Sequence, residues 1–184
     1  MKKLILDNQK INELVNKICR DIHLSGWKPD YVVGLTRGGL VPAVMISHWL
    51  DVPMYTLKVS LRDSGDNESN AWMSEDAFGY VEKEDREEIH VLSDISKRKN
   101  ILIVDDINDT GATLNWIMED WPSSCCPSAI SVWENVWNNN VKFAVIVDNH
   151  CSQCYSHMDY TGIEINKAEE DVWIEFPWET WWKQ

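Results

Sequence analysis

The chain has 184 residues and a formal net charge of -13, with 30 Asp and Glu against 17 Lys and Arg. Phosphate backbones need clustered basic side chains, so this balance argues against a nucleic-acid surface and fits a dispersed acidic, soluble one. The length suits one large domain with its own core, and no apolar run approaches the roughly 20 residues of a membrane-spanning helix.

The basic start MKK leads into Leu4-Ile5-Leu6, which ends at Asp7 and is too short for the core of a signal peptide. Five cysteines without such a signal point to reduced thiols and a cytoplasmic protein. Asn8 caps a helix whose apolar face is Ile11, Leu14, Val15, Ile18, Cys19 and Ile22, ending at Gly26 and Pro29. YVVGL, from Tyr31 to Leu35, is a short buried strand, followed by Thr36-Arg37-Gly38-Gly39 and the helical pattern LVPAVMISHWL, where Pro42 sits in the first turn. A glycine turn with one fixed positive charge at a helix start suits an anion, although a solvated Arg37 on an ordinary connection has the same pattern.

MYTLKVSL, from Met54 to Leu61, reads as a third strand and brings Lys58 near its end, facing either the same anion or solvent. Residues 62–99 are polar, with Gly65, Gly79 and dispersed acids, and read as a long mobile loop. Within it EKEDREE is a solvated face or short helix, and Val91, Leu92, Ser93 and Ile95 form a small β element.

Ile101-Leu102-Ile103-Val104 is apolar throughout, as a strand buried on both faces must be. Asp105 and Asp106 stand where this strand should leave the core. Asp109 then opens Thr110-Gly111-Ala112-Thr113, and Leu114, Ile117 and Met118 follow at helical spacing. Open parallel sheets place ligands beyond the carboxyl ends of their strands, where a helix start offers unpaired N–H groups to a phosphate. Gly111 lets the backbone curl close to such an anion, and the hydroxyls of Thr110 and Thr113 add donors. Asp105 and Asp106 would repel it, so they face a neutral polyol or a hard cation.

Pro122 breaks the next pattern, and residues 129–136 and 141–149 read as two more strands. The whole is then an α/β fold, a mostly parallel Rossmann-like sheet of about five strands flanked by helices. His150, Cys151, Cys154 and His157, in HCSQCYSH, have zinc-ligand chemistry, but one Cys-x-x-Cys is weak evidence and unliganded thiols are the preferred reading.

VDDINDTGAT resembles the signature of the type I phosphoribosyltransferases, which bind 5-phosphoribosyl-1-pyrophosphate (PRPP). LTRGGLVPA is similar to their pyrophosphate loop, and DVWIEFPWE, residues 171–179, to their base-binding hood, both in the form of the bacterial xanthine-guanine enzymes. The resemblance implies one domain with a C-terminal hood at about residues 160–184, and transfer of phosphoribosyl from PRPP to guanine, xanthine or hypoxanthine in purine salvage. Asp105 and Asp106 would hold the ribose and, with it, Mg2+. The turn of Asp109, Thr110, Gly111, Ala112 and Thr113 would take the 5′-phosphate. Thr36, Arg37, Gly38, Gly39 and Lys58 would take the pyrophosphate, with a cis peptide between Thr36 and Arg37. Asp109 would be the catalytic acid or base near purine N7, and Trp173 would stack on the base while Ile174 meets its edge. A homodimer or homotetramer is implied as well.

Two departures stand out. The serine-tyrosine pair of the family's closing loop is missing, since Ser60 precedes Leu61, and Asn135 stands near the place of the lysine that contacts a purine 6-oxygen. A non-catalytic PRPP sensor or a transferase for another base are the alternatives.

Overall fold

The structure, a computed structural model, describes residues 2–59, 67–85, 88–125 and 130–183. At its centre is a parallel sheet of five strands in the order β3-β2-β6-β7-β8: β2 is Tyr31–Thr36, β3 Met54–Lys58, β6 Ile101–Asn108, β7 Val141–Asn149 and β8 Tyr160–Ile165. The apolar run predicted for β6 is explained by burial on both sides. Leu102 and Val104 pack with α1 (Asn8–Ser25) and α2 (Leu40–Leu50), whereas Ile101 and Ile103 pack against α3 (Ala71–Phe78) and α4 (Ala112–Asp120).

α1 buries all six of its predicted apolar residues. Its cap is Asp7 rather than Asn8: the Asp7 carboxylate accepts from Lys10 N at 2.7 Å, and Asn8 is the first helical residue. Either side chain has cap chemistry, and the extended backbone at Asp7 decides between them.

Residues 62–99 are a correction. Their described part carries α3 and an antiparallel pair of β4 (Tyr80–Asp85) and β5 (Glu88–Ser93), so Glu82 to Asp85 and Glu88 are strand residues and not helical, while the small β element expected around Val91 to Ser93 is present. Asn70 caps α3 by accepting from Met73 N, and Gly79 at φ 71° ends it. Ser60 and Leu61 lie outside the described residues.

The strand expected at residues 129–136 is also corrected. Ile130–Trp133 is a short helix, α5, and Trp133, Val136 and Trp137 turn inward at i, i+3 and i+4, a spacing that a strand would split between two faces. Trp137 stacks on Trp133 at 5.4 Å and on Phe143 at 6.0 Å, tying this segment under β7. The fifth strand is β8 instead, so the stretch from residue 160 begins as an edge of the main sheet. Where the resemblance implies a hood, the chain forms a separate two-stranded parallel sheet in which β1 (Lys2–Ile5) lies beside β9 (Val172–Glu175). No helix among the described residues is long and apolar enough to cross a membrane.

Candidate active site

β2 and β6 are neighbours at the middle of the sheet, and the chain leaves β2 towards β3 on one side and β6 towards β7 on the other. Connections that diverge in this way open a crevice above the carboxyl ends of the strands. Both predicted anion turns lie there.

β2 ends at Thr36, in register with Lys58 at the end of β3. The Thr36–Arg37 peptide is cis, as the resemblance implies. Arg37 and Lys58 are exposed, and Lys58 N donates to the Glu68 carboxylate at 3.2 Å. Gly39 precedes α2 without a side-chain cap; Leu40 N donates to the Arg37 carbonyl at 3.3 Å, and Pro42 in the first turn has no N–H to satisfy. The turn lies directly on β6: a Cβ on Gly38 would overlap the Asp106 carboxylate, and one on Gly39 the carbonyl oxygen of Val104.

β6 continues to Asn108, so Asp105 and Asp106 belong to its last strand residues rather than to the exit loop, and Asp105 pairs in register with Val145. Asp106 N donates to Asp105 Oδ1 at 2.9 Å. Burial holds the Asp105 carboxyl well above the usual carboxylate range, and the Asp106 charge adds to this. Burial also pushes Asp106 up to about 6 against a hydrogen bond from the Ile107 N–H, with the charge of Glu179 adding to the rise. Carboxylates whose charged forms are disfavoured by their surroundings fit hydroxyl donors or a hard, oxygen-ligated cation such as Mg2+. Among the described residues no group of three or more His, Cys, Asp or Glu could hold a metal by itself.

The second turn runs from Asp109 to α4. Gly111 adopts φ 86° and precedes α4 without a side-chain cap, while Thr110 Oγ1 accepts from Ala112 N at 3.4 Å. Ala112 is exposed and Thr113 half-buried. A Cβ on Gly111 would overlap the backbone of Cys154, because the loop after β7 is packed against this turn. Gln153 N donates to the Thr110 carbonyl at 3.0 Å, and Asn115 Nδ2 donates to the Gln153 carbonyl at 2.9 Å. The HCSQCYSH segment thus braces the turn. Its His150 pairs with Glu164 at 3.0 Å, and its Cys151 thiol donates to Asn166 Oδ1 at 2.8 Å.

In β9 the side chains alternate, with Val172 and Ile174 buried and Trp173 41% exposed, so the Trp173 ring is available as a stacking face. Trp178 stacks on Phe176 at 4.9 Å, whereas Trp181 and Trp182 are exposed.

Asn135 is not brought to these turns. It lies between α5 and the start of β7, where the next residues hand the Asn140 carbonyl to Ile101 N at the first residue of β6. That is the amino edge of the sheet, and at about 3.3 Å per residue the strands carry the crevice roughly 25 Å away. The polar residues that do stand beside Asp109 escaped the sequence reading. Asn149, at the end of β7, donates from Nδ2 to the Asp109 carbonyl at 2.8 Å, and Lys167 Nζ lies 2.7 Å from Asp109 Oδ1. A signal for Asn149 was present, since VDN ends a buried strand as VDD does; Lys167 had none.

Similar proteins share this arrangement of chain. A xanthine-guanine phosphoribosyltransferase of Cereibacter sphaeroides is 26% identical over 175 residues, 89% of this chain and 83% of that protein. One from Idiomarina loihiensis is 24% identical over 151 residues, 80% of this chain and 70% of that protein. The crystal structure of a purine phosphoribosyltransferase from Pyrococcus horikoshii superposes with a TM-score of 0.63 at 23% identity, covering 97% of this chain and 94% of that one, a likeness of fold. The family model described as phosphoribosyl transferase domain matches residues 2–184. With both turns of the crevice inside that match, the chain belongs to the phosphoribosyl transferase domain family.

Proposed function

We propose that this protein is a purine phosphoribosyltransferase, which moves the 5-phosphoribosyl group of PRPP to a purine nitrogen and releases pyrophosphate in purine salvage. The observation that carries the reading is the pair of glycine turns that open helices at the carboxyl ends of β2 and β6, with the half-buried acid pair between them. One substrate with two phosphate-bearing ends and a polyol between them matches that order. The relatives named for xanthine and guanine support a purine as the acceptor.

In this reading Thr36, Arg37, Gly38 and Gly39, with Lys58 beside them, hold the pyrophosphate, and Thr110, Gly111, Ala112 and Thr113, entered through Asp109, hold the 5′-phosphate. Asp105 and Asp106 hold the ribose hydroxyls. Mg2+ bound with PRPP would share these two carboxylates and offset negative charge on the leaving group. The ribosyl carbon gains positive character as the pyrophosphate departs, so catalysis rests on fixed geometry and on charge placed before the reaction. Asp109 takes the proton from the base as the new bond forms. The partners are PRPP and the purine base, with neither nucleic acid nor membrane. The setting is the cytoplasm, and a homodimer or homotetramer agrees with the exposed Trp49, Trp72, Trp181 and Trp182.

Pyrophosphate release from PRPP and Mg2+ with guanine, hypoxanthine, xanthine, adenine and uracil in turn tests the function. Release with at least one purine and none with uracil is expected. Silence with every base would leave a PRPP sensor as the better description. Trp173→Ala weakens purine binding about tenfold in calorimetry, since a base–aromatic stack contributes about 1–3 kcal/mol, and leaves PRPP binding unchanged. Unchanged purine affinity would remove Trp173 from the base site.

A further inference from the structure

The Cys-x-x-Cys pair, which the transfer reaction does not use, stands on the loop that braces the turn from Asp109 to Thr113. Between the two cysteines, Ser152 Oγ donates to Asn108 Oδ1 at 2.9 Å and Gln153 N to the Thr110 carbonyl at 3.0 Å, while the Gln153 carbonyl accepts from Asn115 Nδ2 at 2.9 Å. Tyr155 N, one residue further on, donates to Asn115 Oδ1 at 2.8 Å. These bonds reach the end of β6, the turn itself and the first part of α4. The backbone of Cys154 also fills the space in which Gly111 would carry a side chain. Residues 152–155 therefore set the shape of the turn. The thiols on either side of this brace are held by different parts of the protein. Cys151 is exposed, and its Sγ donates to Asn166 Oδ1 at 2.8 Å, on the turn between β8 and β9. Cys154 is half-buried against the apolar cluster that holds Leu114 and Ile117 of α4, and burial raises its thiol above the usual range. Both thiols are free.

Resting on the reading of Asp109 to Thr113 as the 5′-phosphate turn, we propose that Cys151 and Cys154 are a redox modification site, whose disulfide releases the brace and lowers the affinity for PRPP. The exposed Cys151 reacts first. Its thiolate attacks a low-molecular-weight disulfide, RSSR, forming a mixed disulfide and expelling one thiolate, which takes up a proton as RSH. The Cys154 thiolate then attacks the Cys151 sulfur, closes the bond within the loop and expels the second RSH. In total the protein gives up two protons and two electrons, and RSSR becomes two RSH. The oxidised Cys151 sulfur has no hydrogen to donate, so its tie to Asn166 is lost. Cys154 is drawn from the edge of the core towards the surface, and the backbone packed on Gly111 moves with it. Oxidation and a braced turn thus oppose each other, and the linkage is reciprocal: PRPP resists oxidation by the factor by which oxidation weakens PRPP binding. Lasting disulfides are rare in a reducing cytoplasm, where those that form are mostly transient and redox-sensing. A pair that serves packing alone predicts the same PRPP affinity in both states.

The test equilibrates the protein across mixtures of reduced and oxidised glutathione, maps the bond by mass spectrometry of proteolytic peptides, and measures the Kd for PRPP with Mg2+ by calorimetry at both ends of the series. Peptide mapping is expected to join Cys151 to Cys154. The Kd should rise about tenfold on oxidation, the loss that one or two hydrogen bonds ordering the turn would cause, and return on reduction. Saturating PRPP and Mg2+ should raise the midpoint potential of the pair by about 30 mV, which is tenfold for a two-electron couple. The double variant Cys151→Ser, Cys154→Ser should show one Kd in both buffers; if it fails to fold, Cys151→Ser alone, at an exposed position and keeping a donor to Asn166, takes its place with the same expectation. A Cys151–Cys154 bond that leaves the Kd within about twofold overturns the proposal. So does a pair that stays reduced in oxidised glutathione, or a response that persists in the variant. Reduced protein that does not bind PRPP overturns the phosphoribosyl reading and the proposal with it.

Discussion

Asp109→Asn is expected to lower kcat about 1000-fold while the dissociation constant for PRPP changes by less than about threefold, the range of loss that removal of a positioned acid or base produces. The reason lies in how Asp109 is held. Its backbone carbonyl is fixed by Asn149 and its side chain meets Lys167, so both of these contacts lie on the side of β7 and the hood, away from the turn that follows it. An asparagine preserves size and leaves the phosphate turn, braced by Gln153 and Asn115, in place. Stopped-flow or steady-state turnover beside calorimetric PRPP binding separates the two quantities. Equal losses in both would mean that Asp109 serves the turn and not the chemistry.

Asp106→Asn should abolish Mg2+-dependent PRPP binding and make the free protein more stable. The carboxyl of Asp106 is pushed from the ordinary 3.8 to about 6 by burial, with Glu179 adding to the rise. Between those pH values the folded protein binds more protons than the unfolded chain. The stability contributed by this group is therefore fully present below 3.8 and lost as pH rises through 6. At pH 7 the ionised form costs on the order of 3 kcal/mol, which asparagine removes, raising Tm by about 6–12 °C for a chain of this size. At pH 5 the gap between variant and wild type should narrow. Saturation with PRPP and Mg2+ reverses the order, because a ligand at about 1,000 times its Kd stabilises the wild type by about 4.1 kcal/mol and the variant not at all. Thermal unfolding at pH 5 and 7, with and without PRPP and Mg2+, checks the set. A Tm that falls in the ligand-free variant at pH 7 would contradict the assignment of buried, uncompensated charge to the acid pair. Such a trade of stability for a charged site is the usual cost of function.

Much of this crevice was legible in the sequence because its parts are local. Ile101-Leu102-Ile103-Val104 had to be a doubly buried strand, and the glycine turns after it and after Leu35 carry their own backbone chemistry. What could not be read depends on contacts between distant parts of the chain. Lys167 meets Asp109 only because β8 lies beside β7, and β8 itself was hidden by Gly162 and Glu164, which weaken its apolar pattern. Lys2–Ile5 gave no sign of pairing with Val172–Glu175 at the other end of the chain. Trp133 and Trp137 belong to a β-branched, aromatic stretch that favours a strand locally, and the stack of Trp133 on Trp137 and of Trp137 on Phe143 decides for a helical turn. Asn135 was placed by counting along that mistaken strand, so its error followed from the fold error.

The most direct measurement is the product itself, followed by chromatography after mixing the protein with PRPP, Mg2+ and hypoxanthine. Purine transfer predicts a nucleoside 5′-monophosphate formed one-to-one with pyrophosphate, at a rate that Asp109→Asn removes. PRPP bound tightly in calorimetry, with no nucleotide formed from any purine, would contradict it.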